Sequence, residues 1–403
     1  MSPEQDLIPV DRAVELVLGA VRPLGSEEVA IDDGYGRVLA ADVRAAGDVP
    51  PFPCSAMDGY AIIAGDADRR LAVVGESRAG SPSTHRVSNR EAVRISTGAA
   101  VPEGATAVIP QEQVQADHGE IALQAPMPPG ENIRGAGDDM RAGATILEAG
   151  TRLDAIDVGA AVAAGAGALT VFHQPRVSVL CTGDELRAPG EPLGPGEIHN
   201  SNAPMLTGLA DRAGARTAPA QRLPDDRPAT ERGIAAALEG SDVVIISGGV
   251  SVGPHDHVKP ALAALGVREI FWSVALQPGK PTWFGMRGDD TYVFGLPGNP
   301  VSCVVTFSLF VAPALAALQG TTPPAPPWPD AVLGADLRRN PRRDQAVRVR
   351  VKPGRGGPVA LPTGAQGSHI LTSLLAADAL AVIPAGDGEL PAGTKVALRA
   401  IAR

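Results

Sequence analysis

Residues 242–266 read DVVIISGGVSVGPHDHVKPALAALG. Val243–Ile246 is an apolar run without polar alternation, the pattern of a strand buried on both faces. Gly248 and Gly249 break it at once, and DHVKPALAALG then reads as a helix. The neighbouring segments repeat that rhythm. RVSVLCTG (176–183), RTAPAQRL (216–223) and TYVFGL (291–296) read as strands, whereas SNAPMLTGLADRAGA (201–215) and DRPATERGIAAALEG (226–240) read as helices. Continuous apolar strands alternating with helices predict a parallel sheet covered on both faces.

Outward from this unit the texture changes. Val10, Val14, Val17 and Val21 fall at helical spacing. EEVAIDDGYGRVLAADV (27–43) alternates and turns, as β structure does. Between residues 50 and 130, short apolar runs are cut by Gly and Pro, which predicts a small β domain. DAIDVGAAVAAGAGA (154–168) predicts a small-residue helix that returns to pack on the N-terminal helix, making the β domain an insertion. TTPPAPPWPD (321–330) reads as a linker, and the tail returns to short alternating runs such as AVRVRVKP. The expected architecture is multidomain α/β plus β. A segmented N-terminal α+β domain (1–47 and 136–175) carries an inserted β domain (48–135). A parallel-sheet α/β domain (176–320) and a barrel-like C-terminal β domain (321–403) follow.

Bulk numbers narrow the chemistry. The 403 residues carry a net charge of −10, which opposes non-specific binding to nucleic acid or anionic membranes. Cys54, Cys181 and Cys303 lie far apart, so neither a disulfide framework nor a cysteine-rich zinc site is expected, and a reducing cytosol fits. No secretory leader is read at the N-terminus. VSCVVTFSLFVAPALAAL (301–318) is uncharged, yet it falls short of the ~20 residues of a span. It contains Pro313 and lacks basic flanks, so a helix buried against the sheet is expected.

In open parallel sheets, ligands bind beyond the C-terminal strand ends. There the sequence places TGDE with Glu185, PDD with Asp225, SGGVSVGPHD with Asp256, and LPGNP. Glycines admit backbone N–H groups to an anion, and helix starts add partial positive charge. Carboxylates beside such a site suit Mg²⁺, which takes oxygen ligands and keeps waters. A nucleotide or phosphorylated cofactor is the natural ligand; no Walker loop or dinucleotide fingerprint is present. Each piece also has a plain reading: a strand-to-helix turn, a solvated glutamate, turn punctuation, a loop lysine. His255 and His257 lack a third ligand at a recognisable spacing.

Taken in order, PPFPCSAMDGYA, RISTGAAVPEGATAVI, GENIRGAGDDMRAGATIL, VSVLCTGDEL, IISGGVSVGPHDHVK, PGKPTWFG and GLPGNPVS resemble the molybdopterin molybdenumtransferases, the MoeA and gephyrin E-domain family, across essentially the whole chain. The resemblance implies a molybdopterin-binding-like α/β domain. It also implies insertion of molybdenum from molybdate into adenylylated molybdopterin, with Mg²⁺-assisted release of AMP. The implied assembly is a cytoplasmic homodimer whose cleft lies between subunits, with contacts to other cofactor-synthesis proteins, and without nucleic acid or membrane. By motif, Asp58, Thr97 and Asp139 would line the cleft from the inserted domain. Glu185, Asp225 and Asp256 would hold Mg²⁺ near the nucleotide. Gly248, Gly249, Ser251 and Gly253 would surround phosphates. Lys280 and the turn Pro297, Gly298, Asn299, Pro300 and Ser302 would approach molybdate, with Arg343 reaching the same dianion.

Three departures stand out. Ser273 and Gln277 stand where the basic residues of many bacterial members lead one to expect lysines, Pro53-Cys54 replaces the acidic or Asn pair that often precedes SAMDGYA, and PRRDQAVR matches an arginine-bearing stretch loosely. Two rival readings accompany these: a carrier or scaffold that kept the pocket without turnover, and another pterin- or nucleotide-processing enzyme on the same α/β domain.

Overall fold

The computed structural model describes residues 7–250, 256–321 and 329–402. Its central sheet runs in the order Arg216–Thr217 with Gln221–Leu223, Arg176–Thr182, Val243–Ser247, Thr291–Leu296, Trp283–Arg287, Arg268–Trp272. The pairings from 216–223 to 291–296 are parallel. The last two strands are antiparallel, an edge hairpin absent from the sequence expectation. Its strands, REIFW and WFGMR, are short and flank a proline-bearing loop, so pattern alone does not separate them from connecting chain.

The unbroken apolar strands explain the two covered faces. Val177, Val179, Val243, Ile245 and Phe294 pack with helix Asn202–Arg212 and the long apolar helix on one side. Leu180, Val244, Ile246 and Val293 alternate with them and meet helices Arg227–Gly240 and Val258–Ala264 on the other. The apolar segment over Pro300–Leu318 is long and greasy enough to span a bilayer by composition, but 72% of it is buried in the fold. It widens to a π turn at Phe307–Val311, ahead of Pro313, which has no N–H for the regular ladder.

The helix Val10–Ala20 does not pack where the sequence suggested. Val10, Ala13, Val17 and Val21 join the core of the central sheet with Phe271, Phe310 and Leu318. Helix Ala155–Ala163 sits in a separate core with Leu39, Leu153 and Val171. A three-turn apolar stripe needs a broad apolar partner, which the 300–318 helix supplies and an Ala/Gly-rich helix does not.

The inserted region is a six-stranded mixed sheet in the order Ala107–Pro110, Gly59–Ile62, Glu91–Ile95, Arg70–Ser77, Glu120–Leu123, Val114–Asp117. Ala61 and Ile62 belong to different apolar clusters, so both its faces are covered near the centre. At the C-terminus, Ala331–Leu333, Asp344–Gly354, Gly357–Pro362, Ala379–Ile383 and Lys395–Ala400 close into a five-stranded barrel. Leu276–Gln277, from the loop preceding Trp283, adds in parallel to its Asp344–Gln345 edge. That pairing joins the two bodies through backbone hydrogen bonds.

Candidate active site

The strand order reverses between Arg176–Thr182 and Val243–Ser247, because the chain goes first to one side of 176–182 and then to the other. Such a switch point opens a crevice beyond the strand ends. A cavity of about 490 Å³ lies there, its wall including Thr182, Glu185, Asn202, Ser247, Gly298 and Asn299. Gly248 and Gly249 adopt φ of +88° and +66°. A Cβ on Gly248 would stand 2.7 Å from Thr182 Oγ1, and one on Gly249 2.5 Å from Val258 Cγ2. Both the handedness and the close approach therefore require glycine.

Asn202, the first residue of its helix, holds two of the strand-end turns together. Its Nδ2 donates to Ser247 Oγ (2.9 Å) and to the Gly298 carbonyl (2.7 Å). Behind that contact the Cys303 thiol donates to the Pro297 carbonyl at 2.7 Å and lies 3.3 Å from Ser247 Oγ. Burial pushes the Cys303 thiol up to about 12 and the Cys181 thiol up to about 11. The C-terminal barrel reaches the same cavity. Asn299 Nδ2 donates to Ser368 Oγ at 3.1 Å, Val301 N to the Ser368 carbonyl, and His369 lines the wall. The loop bearing them is anchored by Arg348, 1% exposed. Its guanidinium donates to Ser373 Oγ and to the Ala365 and Gly367 carbonyls, and burial lowers its pKa to about 10.

The expected residues distribute as follows. Glu185, Gly298, Asn299 and Pro300 line the cavity. Asp225 is exposed and exchanges backbone-to-carboxylate hydrogen bonds with Asp184 (3.3 and 3.4 Å). Asp256 is half-buried at the start of helix Val258–Ala264; Ser251 and Gly253 lie outside the described residues. Pro297 is buried behind the wall, and Ser302, 3% exposed, sits inside its helix rather than on the cavity surface. Among the described residues, no three His, Cys, Asp or Glu side chains gather around one point. Glu185, Asp225 and Asp256 thus form no closed cage.

Lys280 and Arg343 do come together, but in a second pocket of about 230 Å³ that also includes Arg342 and Asn340. The lysine-expected positions differ from each other: Gln277 is exposed, whereas Ser273 is 7% exposed and left-handed at φ +68°. In the inserted sheet, Asp58 Oδ1 accepts from the Thr97 backbone N–H (2.7 Å) and hydroxyl (3.1 Å). Asp139 is exposed, its N–H bonded to the Val49 carbonyl. None of these three lines either pocket. Sequence reasoning missed Asn202, Ser368, His369 and Arg348. Only Asn202 left a signal, an amide at the start of a helix that follows a strand end.

Comparison with known proteins matches this arrangement end to end. Residues 8–165 match the family description "MoeA N-terminal region (domain I and II)", residues 178–317 "Probable molybdopterin binding domain", and residues 330–400 "MoeA C-terminal region (domain IV)". The molybdopterin molybdenumtransferase of Haemophilus influenzae is 35% identical over 381 residues, covering 93% of this chain and 94% of that one. The Bacillus subtilis protein of the same name is 34% identical over 400 residues, covering 96% and 93%. A solved molybdopterin biosynthesis MoeA protein from Pyrococcus horikoshii OT3 superimposes with a TM-score of 0.83 at 31% identity, covering 98% of this chain and all of that one. With its three segments matched in order and its relatives aligned over nearly their full lengths, the chain belongs to the MoeA family of molybdopterin molybdenumtransferases.

Proposed function

We propose that this chain inserts molybdenum into molybdopterin. Adenylylated molybdopterin and molybdate enter; the two dithiolene thiols bind the metal as one molybdate oxygen leaves with their protons as water, and a second water cleaves the pyrophosphate bond so that AMP leaves. The observation that carries this reading is the convergence of the strand ends at Thr182 and Ser247 with the turn Gly298–Pro300 on one switch-point cavity. The starts of helices Asn202–Arg212 and Pro300–Thr306 border it, which suits an anionic, phosphate-bearing ligand.

Glu185 and Asp225 offer exposed oxygen donors without a complete ligand set. That donor chemistry fits Mg²⁺, which relies on substrate phosphates and water for its remaining positions. Glu185, Asp225 and Asp256 would hold the ion, and when bound it would draw charge from the pyrophosphate. Lys280 and Arg343 bind and orient the molybdate dianion through charge-assisted hydrogen bonds. Cys181 and Cys303 remain protonated at neutral pH. They therefore do not compete with the substrate's sulfurs for the metal, because the thiolate is the ligand form.

Asp58, Thr97 and Asp139 complete the site from a second copy of the chain, across the cleft of a cytoplasmic homodimer. The test is AMP release from adenylylated molybdopterin; we expect it to require both molybdate and Mg²⁺. Release indifferent to molybdate would overturn the reading. Co-expression of Asp58→Ala and Glu185→Ala chains should recover up to about a quarter of the activity, since half the dimers then hold one intact site. No recovery would place both carboxylates in one subunit's site.

A further inference from the structure

The pocket holding Lys280, Arg342 and Arg343 is assembled from two bodies, so something must fix their relative positions. Asn340 is placed to do so. Its Oδ1 accepts the backbone N–H groups of Arg342 (2.9 Å) and Arg343 (3.1 Å). Backbone N–H groups only donate, so this assigns the amide's orientation without ambiguity. Its Nδ2 then points across the junction and donates to Gln277 Oε1 at 2.5 Å. Its backbone is also held, with N donating to Gln345 Oε1 (2.9 Å) and the carbonyl accepting from Gly386 N (2.9 Å). Gln277 lies three residues before Lys280, on the short strand that pairs with Asp344–Gln345.

We infer that Asn340 and Gln277 are a positioning pair that sets the arginine turn 340–343 against Lys280, and that Gln277 serves as an acceptor at a position where the family resemblance implies a lysine. The inference rests on the reading of Lys280 and Arg343 as the molybdate site. A lysine at 277 would add charge but remove the acceptor that Asn340 needs. Charge counting and geometry therefore give opposite expectations for the same substitution.

The experiment is calorimetric titration of molybdate into the full-length protein, paired with steady-state kinetics. Gln277→Lys should weaken molybdate binding about five- to tenfold, the loss of one net hydrogen bond, and raise the molybdate KM with kcat largely kept. The double variant Gln277→Lys with Asn340→Asp restores a donor–acceptor contact with reversed polarity and the original net charge; it should return to within about twofold of wild type. If Gln277→Lys does not fold, Gln277→Met removes the acceptor at similar volume and should show the same loss. Unchanged or tighter binding in the single variant, or no recovery in the double, overturns the positioning role. Lys280→Ala with undiminished molybdate affinity instead overturns the anion-site reading itself.

Discussion

The two pockets are built on opposite principles. The switch-point cavity is walled by backbone turns, amides and hydroxyls, with neutral thiols behind them. The junction pocket gathers three cationic side chains within about 230 Å³. The first takes its shape from a parallel sheet whose strands end together, so its wall is fixed by the backbone of those strand ends and turns. The second depends on long side chains from two bodies, joined by the Leu276–Gln277 to Asp344–Gln345 strand pairing and by the amide-to-amide contact of Asn340 with Gln277. In a protein of net charge −10 the two pockets thus offer an anion different settings: strand ends and helix starts at one place, concentrated positive charge at the other.

The contrast breaks most readily at the carboxylates. Glu185→Ala, Asp58→Ala or Asp256→Ala should each lower AMP release and cofactor formation about 10²-fold or more, as removal of a directly acting polar group does, while far-ultraviolet dichroism stays native. Wild-type rates in all three would show that these carboxylates take no part in the chemistry. Next in size is Gly249→Ala, which forces a side chain into a left-handed turn against Val258. It should cost about 1–3 kcal/mol in urea unfolding, whereas alanine at the exposed, open Gly190, also left-handed, should cost the backbone strain alone.

Ser273→Lys sharpens the other side of the comparison. The position looks like a missing anion ligand in the sequence, but the side chain is buried. Lysine there should destabilise the fold by about 1–3 kcal/mol and leave molybdate affinity no better; tighter binding would mean that the position faces the anion. The smallest effect concerns the thiols. Cys181 and Cys303 hold their protons more tightly folded than unfolded, so their contribution to stability is intact below the unfolded thiol value near 9. It is lost as pH rises from there through about 11 and 12. Unfolding midpoints measured across that window should fall less steeply in Cys181→Ser than in wild type.

The sequence by itself determined the α/β unit, the closure of the chain's end into β structure, and the turns that make the switch-point cavity. The reason is local: an unalternating Val243–Ile246 can only be a strand buried twice, and Gly248-Gly249 can only be a turn there. The family resemblance also singled out Asp58 and Thr97, 39 residues apart, and the structure hydrogen-bonds them. What it could not decide was which apolar surface receives which helix. Helical spacing marks the stripe on Val10–Ala20 but not its partner, and burial energy is not directional. Nor could spacing reveal that Gln277 is an acceptor, that Ser273 is buried, that Ser302 turns inward, or that Arg348 anchors the loop of Ser368 and His369. Each of those depends on contacts between segments tens of residues apart, and only the packed tertiary structure fixes which side chains meet.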